Sequence, residues 1–114
     1  MDKLDFYKKV VKEVVEKYAV YGVNKQEEDV KTEIFIDNER NQYLLFEKGW
    51  RDYDRIYGCF LHIGIQNGKI WVEHDGTSVG IANELIEKGI PKEDIVLAFH
   101  PVKKRQYTGF AVGV

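Results

Sequence analysis

Cys59 and His62 stand three positions apart in a chain of 114 residues, a spacing that invites a thiol nucleophile with its base, or two ligands of a metal. The residues around them alternate as in a strand, where positions three apart point to opposite faces. The pair is therefore set aside, and Cys59, on the face of Leu61 and Ile63, is expected to be a small buried hydrophobe. Glu73-His74-Asp75 resembles an acid cluster for a metal, but successive strand residues diverge, leaving Glu73 and Asp75 without further acids to complete a site. Asp75-Gly76-Thr77-Ser78 precedes a helix, a geometry able to hold an anion. With neither GxxxxGK[ST] nor GxGxxG present, helix capping is its expected role. No acid follows Asp94, whereas His100, Lys103, Lys104 and Arg105 gather near Tyr107 and Phe110. Lys103, Lys104 and Arg105 are thus the candidate contacts for an anion or a nucleic acid. Three cations fall short of the roughly 6 to 10 phosphate contacts of a strong DNA binder, so such contact is expected to be weak.

The elements that must position these groups follow from periodicity. Leu4, Tyr7, Val11, Val14, Tyr18 and Tyr21 recur at steps of three and four, with Val10 and Val15 widening the stripe, which predicts an amphipathic helix stopped at Gly22. The segment from Gly22 to Asp29 is polar and irregular. Val30 to Ile36 alternates as a half-buried strand, Asp37 to Asn41 turns, and Gln42 to Trp50 and Arg55 to Gln66 read as two more strands. Asn67-Gly68 is a hairpin signal returning the chain along Lys69 to His74. A second helix, Val79 to Lys88, ends at Gly89 and Pro91. A helical turn at Pro91 to Asp94 then leads into a short strand, Ile95 to Phe99, and the tail Phe110 to Val114 offers a further one. The expected fold class is α+β: an N-terminal helix and a second helix packed on a mainly antiparallel sheet of about four to six strands.

A two-residue loop at Asn67-Gly68 pairs Gln66 with Lys69 and propagates a register. Ile65 then faces Ile70, Ile63 faces Val72 and Leu61 faces His74, while on the other side Gly64 faces Trp71 and His62 faces Glu73. A carboxylate across the ladder would hold the imidazole as a structural pair. Phe60, His62, Trp71 and Glu73 make this second face too apolar to leave in water, so it is the expected partner-binding surface.

Composition bounds the rest. Hydrophobic residues at 44% and charged residues at 32% describe a folded globule and exclude a disordered chain, and the length suits one domain spanning residues 1–114. A net charge of -2 gives no overall attraction to DNA or to an anionic membrane. One cysteine excludes an intramolecular disulfide, and no CxxC or HxxxH spacing suggests zinc; no catalytic residue, metal or cofactor is expected. With no signal peptide and no apolar run of ~20 residues, a cytoplasmic location is expected.

Across the second half, Trp50, Tyr57-Gly58-Cys59, Leu61-His62-Ile63, Gly68-Lys69-Ile70-Trp71, Asp75-Gly76-Thr77, Gly80-Ile81-Ala82, Glu84-Leu85, Gly89-Ile90-Pro91-Lys92, Asp94 to Phe99, Arg105, Thr108 and Phe110-Ala111-Val112 follow one another. In this order the chain resembles the XisI-like family, the fdxN element excision controlling factors found mainly in cyanobacteria. After Asp-Gly-Thr the family turn usually continues with an acid, where this chain has Ser78. The resemblance implies an accessory role in site-specific excision of a DNA element, with an XisH-like protein and a recombinase complex as partners, and no known catalytic activity; a homodimer is expected separately, from the second apolar face of the sheet. Two other classes compete: a DNA-binding directionality factor using the basic C-terminal segment, and a small enzyme built on His62, Glu73 and Asp75.

Overall fold

The Asp2 carboxylate accepts the backbone N–H of Asp5 at 2.8 Å and so caps the first helix, α1, which spans Lys3–Asn24 in a computed structural model describing residues 2–24, 29–78 and 80–113. Gly22 does not stop α1. An interior glycine costs only about 1 kcal/mol relative to alanine, too little to end a helix anchored by packing. Tyr7, Val10, Val11, Val14 and Val15 are buried as the stripe predicts, whereas Leu4 is largely exposed. The side chain of Tyr21, the irregular residues 25–28, Val79 and Val114 lie outside the described residues.

Five strands follow: β1 Val30–Asp37, β2 Gln42–Arg51, β3 Asp54–Gln66, β4 Lys69–Asp75 and β5 Ile95–Leu97. They form one sheet in the order β1-β2-β3-β4-β5. The first three pairings are antiparallel, but β5 lies parallel to β4, against the expectation of antiparallel order throughout. The reason is the intervening helix, α2, Ile81–Glu87, which carries the chain back over the sheet before β5 begins. Asp75 organises that crossover. Its carboxylate takes the Thr77 N–H at 2.9 Å, the Thr77 hydroxyl at 2.5 Å and the first N–H of α2, from Ile81, at 2.8 Å. Capping therefore comes from Asp75 six residues ahead; Gly80 occupies the cap position itself and Ser78 does not serve. A 3-10 turn, Lys92–Asp94, leads into β5 as expected. A short third helix, α3, Val102–Arg105, appears where the sequence suggested only a basic loop.

One face of the sheet meets both long helices. Tyr43, Leu45, Leu61, Ile63, Ile65, Ile70, Val72 and Ile95 pack there against the α1 valines and against Ile81, Ala82 and Leu85 of α2. Among the described residues, three helices on a five-stranded, mostly antiparallel open sheet make an α+β fold.

Two bulges change the predicted register. The hairpin pairs as expected from Gln66 with Lys69 to Ile63 with Val72. There the ladder slips: His62 stands opposite His74, Leu61 opposite Asp75, and Glu73 is the extra residue. A second slip between β2 and β3 pairs Leu45 with Leu61 but Phe46 with Cys59, making Phe60 the extra residue of the bulge. Since Leu45 faces the core and its neighbour Phe46 the other side, Cys59 lies on the outer face and not beside Leu61 and Ile63.

Candidate interaction surface

The outer face divides into two halves. Over β4 and β5 the chain covers itself. Trp71 pairs with Val96 across the parallel ladder, and Val96 is fully buried although it points away from the main core. The C-terminal segment supplies that cover: Ala111 bridges to Val96 and donates its N–H to the Ile95 carbonyl at 2.8 Å. Gly113 lies so close to Trp71 that a Cβ there would sit 2.8 Å from the ring. The predicted tail strand is thus a single bridge.

Arg105 holds this segment down. Its Nε donates to the His100 carbonyl at 2.9 Å, Nη1 to Val112 at 3.2 Å and Nη2 to Ala98 at 3.3 Å, and the guanidinium lies 5.9 Å from the Trp71 ring centroid. Arg105 is therefore not a free contact for a phosphate, as the sequence suggested. Lys103 and Lys104 stay exposed on α3.

The other predicted surface residues are spread out. Phe60, displaced by its bulge, packs against the core cluster and against Gly76, whose N–H bonds to the Phe60 carbonyl at 2.8 Å. His62 is half-buried, with Nε2 2.8 Å from the amide oxygen of Gln42, an acceptor that assigns the ring proton to Nε2. Glu73 is exposed and does not face His62 across the ladder. The structure thus separates the pair that the simple register brings together.

Over β1, β2 and the first half of β3 the face is open. Phe35, Leu44 and Phe46 occupy its outer positions, and Phe46 meets Phe35 and Tyr57 edge-on, with centroids 6.4 and 5.2 Å away. Arg55 donates to the Gly49 carbonyl at 3.3 Å, with its guanidinium 5.4 Å from the ring centroids of both Trp50 and Tyr57. Phe35, Trp50 and Tyr57 are 51%, 50% and 66% exposed. The clue was present in the sequence: Phe35, Leu44 and Phe46 fill strand positions that a one-sided sheet would give to polar residues.

Nothing among the described groups converges as a catalytic set. Burial raises the pKa of the Cys59 thiol against the opposing pull of backbone hydrogen bonds at Leu61 and Leu45, so a reactive thiolate is disfavoured. Among the described residues no group of three or more His, Cys, Asp or Glu could hold a metal ion. A cleft of about 400 Å³ opens beside the first turn of α1, walled by Lys3, Tyr7, Asn41 and Gln66. Lys3 and Tyr7 are both bound to Asp94, and the Asp2 carboxylate in the same wall caps α1, so these polar groups are engaged in the fold. No helix of the described residues is long and apolar enough to cross a membrane.

A family model described as XisI protein matches residues 1–112. The chain belongs to the XisI family. The fold is similar to that of an XisI-like protein from Anabaena variabilis ATCC 29413, with a TM-score of 0.88 and 37% identity, covering 98% of this chain and 100% of that one. It is also similar to the fdxN element excision controlling factor XisI of the same organism, with a TM-score of 0.83, 40% identity and the same coverage of both chains. No curated protein matches the sequence. In both comparisons the likeness extends over 98% of this chain.

Proposed function

We propose that this XisI protein is a non-enzymatic accessory factor in site-specific DNA excision, working through contacts with an XisH-like protein and through it with a recombinase complex. The observation that carries this reading is the full-length likeness to an fdxN element excision controlling factor. The chemistry agrees with it. The thiolate is disfavoured, Asp2, Lys3 and Tyr7 of the cleft are engaged in structural contacts, and the basic segment has lost Arg105 to the fold. In this reading the partner contact lies at His62 and the exposed Glu73, with Phe60 packed against the core and Trp71 beneath the C-terminal cover.

The direct test is co-purification of tagged protein from its native host with mass-spectrometric identification. The expected result is an XisH-like protein retained by wild type and lost in Glu73→Lys, whose exposed position leaves folding intact. Retention of specific duplex DNA by the purified chain alone would instead favour a directionality factor, and turnover in a metal-dependent activity screen would favour an enzyme.

A further inference from the structure

The two edges of the sheet differ. At β5, which is three residues long, the C-terminal segment closes the edge through Ala111. At β1 nothing among the described residues pairs with the outer side of an eight-residue strand. The phase of its ladder shows which groups are left over. The Trp50 N–H donates to the Asp29 carbonyl at 2.9 Å, one step beyond the pairing of Val30 with Gly49. Bonded and non-bonded pairs alternate along an antiparallel ladder. Lys31, Glu33, Phe35 and Asp37 therefore bond to β2, while Val30, Thr32, Ile34 and Ile36 turn their N–H and C=O groups outward. The Ile65 N–H, bonded to the Asn41 carbonyl, sets the same phase from the β3 side. Such an edge is a template for another strand, and proteins usually blunt it with a proline, a bulge or an inward-pointing charge. Strand β1 has no proline, its register is unbroken, and Thr32, Ile34 and Ile36 occupy its helix side. Ile34, opposite the core residue Leu45, is still 37% exposed, so α1 leaves the edge accessible.

We propose that this edge is filled by β1 of a second copy of this chain, antiparallel about a two-fold axis at Ile34, which joins the two sheets into one. Ladder phase and charge together select the register. Identical strands exchange hydrogen bonds only where outward-turned residues face each other, so the axis must pass through a residue and not between two. Two such registers use most of β1. With the axis at Glu33, residues 30–36 pair and Glu33 is set against Glu33 of the other copy, a destabilising like-charge pair. With the axis at Ile34, residues 31–37 pair, and each Lys31 stands across from Asp37 of the other copy in the closer, non-hydrogen-bonded kind of pair. Moving the axis to Phe35 sets Glu33 against Asp37, and moving it to Thr32 leaves only residues 30–34 paired. In the chosen register the two Ile34 backbones bond to each other, and Thr32 bonds to Ile36 of the other copy. Glu33, already held by Lys48 at 2.7 Å, faces Phe35. The two Phe35 rings stand on the diagonal, about 7–8 Å apart and within reach of each other. The two-fold pairing uses both free edges at once, so assembly stops at two copies. This interface is independent of the excision role and of the contact at Glu73.

Sedimentation of the full chain over a wide concentration range, with hydrogen exchange measured at both ends of that range, tests this. The expected result is a dimer in which the Thr32, Ile34 and Ile36 N–H groups exchange at least tenfold more slowly than in the dilute monomer. The Phe35 N–H, bonded to β2 in either state, should change less. Lys31→Glu should weaken the dimer at least tenfold and leave the monomer's melting temperature unchanged, because Lys31 is exposed. Ile34→Pro removes an outward N–H and no bond to β2, so it should weaken the dimer at least a hundredfold. A chain that stays monomeric overturns the proposal. So does a dimer whose Ile34 N–H exchanges as fast as in the monomer, which would put the contact on a face of the sheet. A dimer that Lys31→Glu leaves intact, or that a folded Ile34→Pro variant still forms, overturns it as well.

Discussion

The Tyr7 hydroxyl on α1 donates its proton to the Asp94 carboxylate, joining residues 87 positions apart in sequence. Lys3 adds an ion pair to the same carboxylate at 2.9 Å. Three turns further along α1 the arrangement repeats: the Tyr18 hydroxyl donates to Glu84 of α2, and Lys17 approaches that carboxylate at 3.3 Å. Helix α1 is thus fastened near both ends to the C-terminal half of the chain, each time by a phenol whose ring lies against the core.

These phenols should make the fold sensitive to alkali. Burial first, then the hydrogen bond to the acid and its negative charge, raise both tyrosines well above their ordinary value. A group with its folded pKa raised contributes stability that is complete below the unfolded pKa of about 10 and is lost as pH rises towards the folded value. Urea unfolding followed from pH 7 to 11 should show a fall beginning near pH 10. Tyr7→Phe with Tyr18→Phe should reduce the fall to the part that buried Tyr43, also raised by burial, contributes, at a cost of about 1 kcal/mol or more for each lost bond at pH 7.

Asp94 should act at the other end of the scale. Burial by itself would raise its pKa, but the hydrogen bonds from Tyr7 and Lys3 and the charges of Lys3 and Lys69 outweigh it, so the carboxyl lies below its usual range. A carboxyl lowered by folding contributes stability above its unfolded pKa of about 4, and that contribution is lost as pH falls through the folded value. Asp94→Asn should therefore be less stable than wild type at pH 7, with the difference shrinking below about pH 4 in the same urea measurement.

The basic segment makes a quantitative statement about DNA. With Arg105 committed to three carbonyls, Lys103 and Lys104 remain for phosphate contact. Two contacts predict a slope of log affinity against log salt of about -1.8 on duplex DNA. Fluorescence anisotropy should give that value for wild type and no measurable binding for Lys103→Gln with Lys104→Gln. A slope beyond about -4 would mean that another surface binds.

The parts of this fold readable in advance were those that local pattern determines. The α1 stripe, the strand alternation of Val30 to Ile36 and the Asn67-Gly68 turn needed no distant partner, and the hairpin register held as far as Ile63 and Val72. What failed needed tertiary information. The bulges at Phe60 and Glu73 carry no glycine or proline to betray them, yet one extra residue put Cys59 on the opposite face and parted Glu73 from His62. Arg105 looked like surface charge because its three carbonyl partners are brought together only when the chain after β5 folds back. The open aromatic face was legible only in part, because which residues of β1 and β2 point outward is decided by their pairing with each other and with the bulged β3.

At the far end of the β1–β2 pair, Gly49 is required by close approach. A Cβ there would lie 1.8 Å from the Asp29 carbonyl oxygen and 2.7 Å from Val30 Cα, with the backbone at φ +151°. The same carbonyl accepts the Trp50 N–H at 2.9 Å, so it cannot withdraw without breaking that bond. Gly49→Ala should destabilise by about 3 kcal/mol or more, lowering the melting temperature by roughly 10 °C or more for a domain of this size. Calorimetry should show it, with Gly58→Ala, where a Cβ meets nothing within 4 Å, as the mild control.

The final prediction concerns the cover over Trp71. Arg105→Lys keeps the charge but replaces a planar fork, which serves three carbonyls at fixed angles, with one ammonium that cannot reach all of them. Hydrogen bonds from charged groups contribute about 1.5–3 kcal/mol each, so the variant should lose about 2 kcal/mol or more, concentrated in the C-terminal segment. Hydrogen exchange separates local opening from global unfolding. The Ala111 N–H, bonded to the Ile95 carbonyl, should exchange at least tenfold faster, while the Ile65 N–H, bonded to the Asn41 carbonyl at 2.9 Å, should change less. Equal acceleration at both would show that Arg105 supports the whole fold and not a separable cover. If neither changes, the segment is held by Trp71 and Val96 without it.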